Sequence, residues 1–149
     1  VLSTLHTNDA PSAAPRLVDM GVEPYLLAST LRGVLGQRLV RRLCPHCRRP
    51  RPATAGESLT LGCPEGTVLY EAAGCDHCGG IGYRGRIGLF ELMEVDDVVR
   101  EGILQRRDSV EIARAARRAG MKTIREDGLS RVRAGLTTAE EVIRVTAVD

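Results

Sequence analysis

The chain has 149 residues, of which 43% are hydrophobic and 27% charged, and its formal net charge is only +2. That balance excludes a disordered chain and a strongly charged one. No apolar run approaches the roughly twenty residues of a membrane-spanning helix, and no secretory signal is evident. The chain opens on Val1, not Met, in a stretch that reads as the middle of a strand, and so it is expected to be a piece of a longer protein. "VLSTLHTND" ends in a polar cluster at His6, Thr7, Asn8 and Asp9. A helix is expected next, carrying Leu17, Val18 and Met20 and stopping at Gly21. Pro15 would clash inside a helix, so its start is placed near Ser12. Pro24 opens a second helix through Leu26, Leu27 and Leu31, ending near Gly33. From Val34 to Leu43 the pattern is strand-like, with Leu39 and Leu43 on one face and Val40 on the other.

Pro45 to Gly80 is a break in composition, rich in Pro, Gly, Arg and Thr and offering little to bury. "GYRGRIGLFELMEV" restores strand character, with Ile87, Leu89, Leu92 and Val95 apolar. Three helices are expected after it. Asp108 or Ser109 caps the first, which ends at Gly120, and the second runs from Thr123 to Ala134. Thr137 or Thr138 caps the last, with Glu140 and Glu141 in its first turn. Strand, helix, helix, strand at the front suggests part of an α/β layer, and the tail reads as a small helical bundle.

Charge is uneven along the chain. Between Pro24 and Gly56 there are seven arginines and no acidic residue, whereas Glu91, Glu94, Asp96, Asp97 and Glu101 form an acidic stretch. The basic run fits either a phosphate-bearing or acidic partner or a solvated surface around a loop.

Cys44 and Cys47 form one Cys-x-x-Cys pair, and Cys75 and Cys78 form another. Each such turn presents two sulfurs to one ion, and two turns complete a closed, structural zinc site. The 27 residues between the pairs demand a larger loop than a compact zinc ribbon has. Disulfides are the rival reading, but nothing places the chain in an oxidising compartment. A thioredoxin-like redox motif needs one pair, not two. The metal would supply folding free energy to a segment poor in apolar side chains. His46 and His77 lie inside the turns and read as exposed loop residues, although either is a possible ligand, and Cys63 reads as a bystander in the loop.

Four stretches, "STLHTNDA", "LVDMGVEPYLLASTLRGVLGQRLVRRLCPHC", "CDHCGGIGYRGRIGLFELMEVDD" and "MKTIREDGLSRVRAGLTTAEEVIRVT", together resemble the C-terminal part of the type II secretion ATPases. These belong to the secretion and type IV pilus assembly branch of the traffic ATPases. The resemblance covers nearly the whole chain, and Pro15 is its one departure, inside an expected helix. It implies an α/β fold: residues 1–43 and 81–107 as C-terminal portions of a RecA-like P-loop NTPase domain, 44–80 as an inserted tetracysteine zinc subdomain, and 108–149 as a C-terminal helical subdomain. It also implies that "TLHTN" is a histidine box whose His6 sits near the terminal phosphate of ATP. Ligands of open α/β sheets do bind beyond strand carboxyl ends, though a lone histidine after a strand is as readily a cap. By the same resemblance Arg86, and more weakly Arg84, lie near the nucleotide; otherwise Arg86 pairs with Glu91 or Glu94.

The resemblance further implies ATP and Mg as cofactors of the full-length protein, a homo-hexamer, contact with inner-membrane platform proteins, and a cytoplasmic location peripheral to that membrane. No G-x-x-x-x-G-K-[ST] occurs in the sequence and its single lysine is Lys122, so this chain alone is expected not to hydrolyse ATP. Two alternatives stand beside this reading. One is a type IV pilus assembly ATPase, which differs in client more than in chemistry. The other is a zinc-ribbon nucleic-acid module, motivated by the arginines but poor in stacking platforms, with only Phe90, Tyr25, Tyr70 and Tyr83; no nucleic acid is expected as a partner.

Overall fold

Helix α1 (Ala13–Asp19) begins one residue after Ser12, which leaves Pro15 at its third position. There the missing N–H is one that no helical carbonyl would accept, and the carbonyl four residues back belongs to Pro11, outside the helix. Pro15 is thus compatible with the helix, and the expected late start holds. The computed structural model describes residues 1–147. Residues 1–7 have no regular structure, contrary to the strand expected there, because a strand needs a pairing partner and none of the described residues offers one. Helix α2 (Pro24–Thr30) starts on its proline and stops short of Gly33.

Strand β1 (Gly33–Leu43) pairs with β4 (Tyr83–Glu94) in a two-stranded sheet. Between them β2 (Arg49–Pro52) and β3 (Val68–Glu71) form a separate antiparallel pair, joined through helix α3 (Ala55–Leu61). After β4 come α4 (Asp97–Leu104), α5 (Ser109–Arg118), α6 (Ile124–Arg133) and α7 (Ala139–Thr146). The last three answer the three helices expected; the end of the chain, residues 148–149, lies outside the described residues. Helix α4 was not expected. Asp96 accepts a hydrogen bond from the Val99 N–H at 2.8 Å, and Val99 and Ile103 stack one turn apart on the buried face.

By contact the chain divides into two units, each discontinuous in sequence: Val1–Gln37 with Phe90–Thr123, and Arg38–Leu89 with Ile124–Asp149. The first has a core of Leu27, Met93, Val95, Val99, Ile103 and Ile112 with small alanines between. In it α2 packs on α4, and α5 on α4 and α1. The second gathers Val40, Leu61, Leu69, Leu89, Val132 and Val142, with α6 against α7 and β3.

Burial does not follow the expected grouping of Leu39 with Leu43, since Leu43 is buried along with Val40. Val40 is buried while Leu39 is 45% exposed, and on β4 the inward phase is Leu89, Glu91, Met93, which leaves Leu92 52% exposed. The insertion also buries more than its composition suggests, since Leu61, Leu69 and Cys63 all belong to the second core. Cys63 is therefore a core side chain, not a loop bystander.

A buried carboxylate organises the second unit. The Glu141 side chain is 3% exposed and accepts from the Arg41 backbone N–H at 2.8 Å, the Arg41 guanidinium at 2.9 Å and Arg144 at 3.0 Å. Arg41 in turn lies over the Tyr83 ring at 4.1 Å. Burial pushes the Glu141 carboxyl up, but hydrogen bonds from both arginines and the Arg41 N–H outweigh it and hold the group at about 2, against an ordinary 4.5. A lowered folded-state value stabilises the protein above the unfolded value, and that stabilisation drains away as pH falls through the folded one. We expect it to be complete above about pH 4.5, worth about 3 kcal/mol, and to vanish by about pH 2. Denaturant melts at pH 7, 4 and 2.5 should show Glu141→Ala destabilised by about 3 kcal/mol at pH 7, with the gap from wild type closing in acid. Comparing the two proteins cancels any metal released by acid.

Candidate functional site

The two cysteine turns meet in the second unit. Cys44 ends the segment leaving β1, and the Cys47 and Arg48 N–H groups fold back onto the Cys44 carbonyl at 3.4 and 3.1 Å. Cys75 precedes a single 3-10 turn, Asp76–Cys78, in which the Cys78 and Gly80 N–H groups return to the Cys75 carbonyl. The second turn is built for close approach: Gly74 has φ +94°, and a Cβ there would run into the Gly80 carbonyl. The Cys44 N–H donates to the Gly82 carbonyl at 2.9 Å, which ties one turn to the exit of the other.

The outcome is four sulfurs within 4.8 Å of one another. Cys44 and Cys75 are 3.9 Å apart, Cys47 and Cys78 3.9 Å, and Cys75 and Cys78 3.8 Å. Tetrahedral ligands about 2.3 Å from a zinc ion lie about 3.8 Å from one another. A disulfide needs about 2 Å, and all five cysteines are free thiols. The donor set and spacing thus fit one metal ion. The N–H groups of Cys75 and Gly82 point at the Cys78 sulfur at 3.3 and 3.2 Å. Burial opposes ionisation of Cys78, but these backbone donors prevail and bring its thiol down to about 7, whereas burial carries Cys75 up to about 11. A bound cation would ionise all four thiols. His46 and His77 are not among the clustered ligands; their rings stack on each other at 4.1 Å outside it.

Arginines of the basic run have partners inside the same unit. Arg41 holds Glu141, Arg51 pairs with Glu57 at 2.7 Å, and Arg48 reaches the Gly135 carbonyl past α6 while lying over Tyr70. Thr54 and Glu57, which form a reciprocal capping box on α3, carry a sequence signal, T-x-x-E, that marks this helix in advance.

His6 lies in the first unit, exposed, in an open cleft of about 300 Å³ lined also by Thr7, Asn8, Ser12, Arg16 and Ser109. The turn beneath it is tightly bonded: the Thr7 hydroxyl donates to the Asp9 carbonyl at 2.9 Å and the Ser12 N–H to the Asp9 carboxylate at 2.8 Å. Arg84 and Arg86 lie in the second unit, both exposed on β4, and neither has a salt-bridge partner among the described residues. The four cysteines are brought together, and His6 is in a different unit from the two arginines.

The chain is α/β, and its four clustered sulfurs could hold one metal ion; a four-sulfur tetrahedral shell is the donor set of a structural site and leaves no coordination position for water or substrate. Its sequence matches the model of the type II/IV secretion system protein family over residues 1–144, and the chain belongs to that family. It is 52% identical over 98% of its length to the type II secretion system protein E of Dickeya dadantii, covering 29% of that protein. It is 47% identical to the type II secretion system ATPase E of Vibrio cholerae, again over 98% of this chain and 29% of the relative. It is 49% identical to the type IV pilus assembly ATPase PilB of Thermus thermophilus over 98% of this chain and 17% of PilB. The chain therefore spans less than a third of the length of these relatives. No helix among the described residues is long and apolar enough to cross a membrane.

Proposed function

We propose that this chain is the C-terminal part of a hexameric ATPase that powers protein export by type II secretion, driving pseudopilus assembly from the cytoplasmic face of the inner membrane. The observation that carries this reading is identity near 50% across 98% of the chain to proteins named type II secretion system protein E. In it, residues 1–43 and 81–107 belong to a RecA-like P-loop domain, 44–80 form an inserted zinc subdomain, and 108–149 a helical subdomain. Zinc on Cys44, Cys47, Cys75 and Cys78 holds the insertion in shape for contact with inner-membrane platform proteins. His6 would act at the terminal phosphate of ATP, and Arg86, with Arg84 the weaker candidate, would bind nucleotide. Mg bound in the full-length protein would supply charge neutralisation at the transferred phosphoryl group, and His6 would donate a hydrogen bond to the charge developing there.

A second reading has its own support in the PilB relative: a pilus assembly ATPase with the same chemistry and a different client. The arginine run gives the nucleic-acid reading less support, because Arg41, Arg48 and Arg51 are already engaged. Two measurements test the proposal. This chain alone should give no ATP turnover above background, since it has no phosphate-binding loop, while the full-length protein should hydrolyse ATP. Deleting the gene should block export of secreted proteins and leave pili intact; loss of pili with normal export would favour the second reading.

A further inference from the structure

We propose that Glu91 is the positioning residue of the turn that carries His6, acting through the backbone N–H of Ala10. The inward-facing positions of β4 are apolar at Leu89 and Met93, and Glu91 between them is the charged exception, 5% exposed. Its Oε1 accepts a buried hydrogen bond from the Ala10 N–H at 2.6 Å, across 81 residues of sequence. Ala10 is fully buried, and its carbonyl accepts the Ala13 N–H at 3.1 Å, the first hydrogen bond leading into α1. The carboxylate therefore grips the turn between His6 and the helix at its centre. Space for it is reserved on the neighbouring strand: a Cβ at Gly36 would lie 3.0 Å from the Glu91 Cγ and 3.2 Å from its Oε1.

Sequence economy sharpens the point. A buried carboxylate is costly unless hydrogen-bonded, and an apolar side chain would fill this phase of the strand without that cost. What the carboxylate supplies is a directional bond, which fixes a backbone atom four residues from His6. A displacement of about 1 Å at a catalytic group can lower a rate about a hundredfold. This inference rests on the reading of His6 given above, and the test separates the two.

In the full-length protein, Glu91→Ala should lower kcat for ATP hydrolysis by about tenfold or more with KM within about twofold, while Glu91→Gln, which keeps the acceptor oxygen, stays within about threefold of wild type. In a His6→Ala background the further loss from Glu91→Ala should be under about twofold. Amide exchange at Ala10 should speed up in Glu91→Ala but not in Glu91→Gln, with α4 and α5 unchanged. If Glu91→Ala does not fold, Gly36→Ala replaces it, since its Cβ displaces the carboxylate; it should give the same pattern more mildly. Equal losses in both backgrounds, a Gln variant as poor as the Ala variant, or unchanged exchange at Ala10 would overturn the proposal. If His6→Ala leaves turnover intact, the histidine reading fails, and exchange at Ala10 still decides whether Glu91 holds the turn.

Discussion

Purified without added metal, the protein should carry one zinc ion per chain, and Cys75→Ser should bring that to near zero. The expectation rests on three sulfur separations of 3.8–3.9 Å, the spacing of a tetrahedral site. Structural zinc contributes an apparent 10–16 kcal/mol to the small domains it organises. Losing one of four thiolates should therefore open the turns. Protection from hydrogen exchange should disappear over residues 44–52 and 72–82. It should weaken at the end of α6, where Arg48 caps the Gly135 carbonyl from within the clasp. The rest of the second core has an apolar cluster independent of sulfur, with Val40, Leu89, Val132 and Val142, and should persist. Helices α1, α2, α4 and α5, in the first unit, should not change. Metal analysis and exchange mass spectrometry together decide it. Full thiol titration of a metal-free, still-protected clasp would show that hydrogen bonds alone hold the turns.

Much of this was readable in the sequence because it depends on local chemistry. The cysteine pairs announce themselves by spacing, and helices α5 and α7 by Asp108 and Thr138, whose side chains accept from the N–H three residues on. Helix α3 carried an equally plain signal in Thr54 and Glu57, masked by the loop-like composition around it. Strand phase was less legible. Leu39 and Val40 are both apolar neighbours, and only the packing of Val40 with Leu89 and Val142 in one core decides which faces inward. On β4 the charged Glu91 disguised the inward phase, because its partner, the Ala10 N–H, is 81 residues away. Packing partners were beyond reach for the same reason. An apolar helix face says that something must cover it, not what, so nothing local assigns α5 to the first core and α6 and α7 to the second.

His6→Ala in the full-length protein should cut ATP turnover by about a hundredfold while leaving the fold almost untouched. The side chain is exposed, outside both apolar cores, and the turn that carries it is held by Asp9, Thr7 and Glu91, not by the imidazole. Truncating such a group alters stability by no more than about 0.5 kcal/mol. Removing a donor aimed at developing charge in a reaction, by contrast, lowers the rate about 100- to 1000-fold. The contrast between the two numbers is what makes the variant informative. Melting temperature and steady-state kinetics should be measured on the same preparation, with zinc content as a control that the clasp is intact. A normal melt, full zinc and a kcat reduced about a hundredfold with KM little changed would assign His6 to the transition state and not to substrate binding. A large rise in KM at constant kcat would instead make it a ground-state contact to nucleotide. Wild-type kinetics would remove it from the reaction altogether, and the His6 cleft would then be a surface feature of a turn whose bonding serves α1 alone.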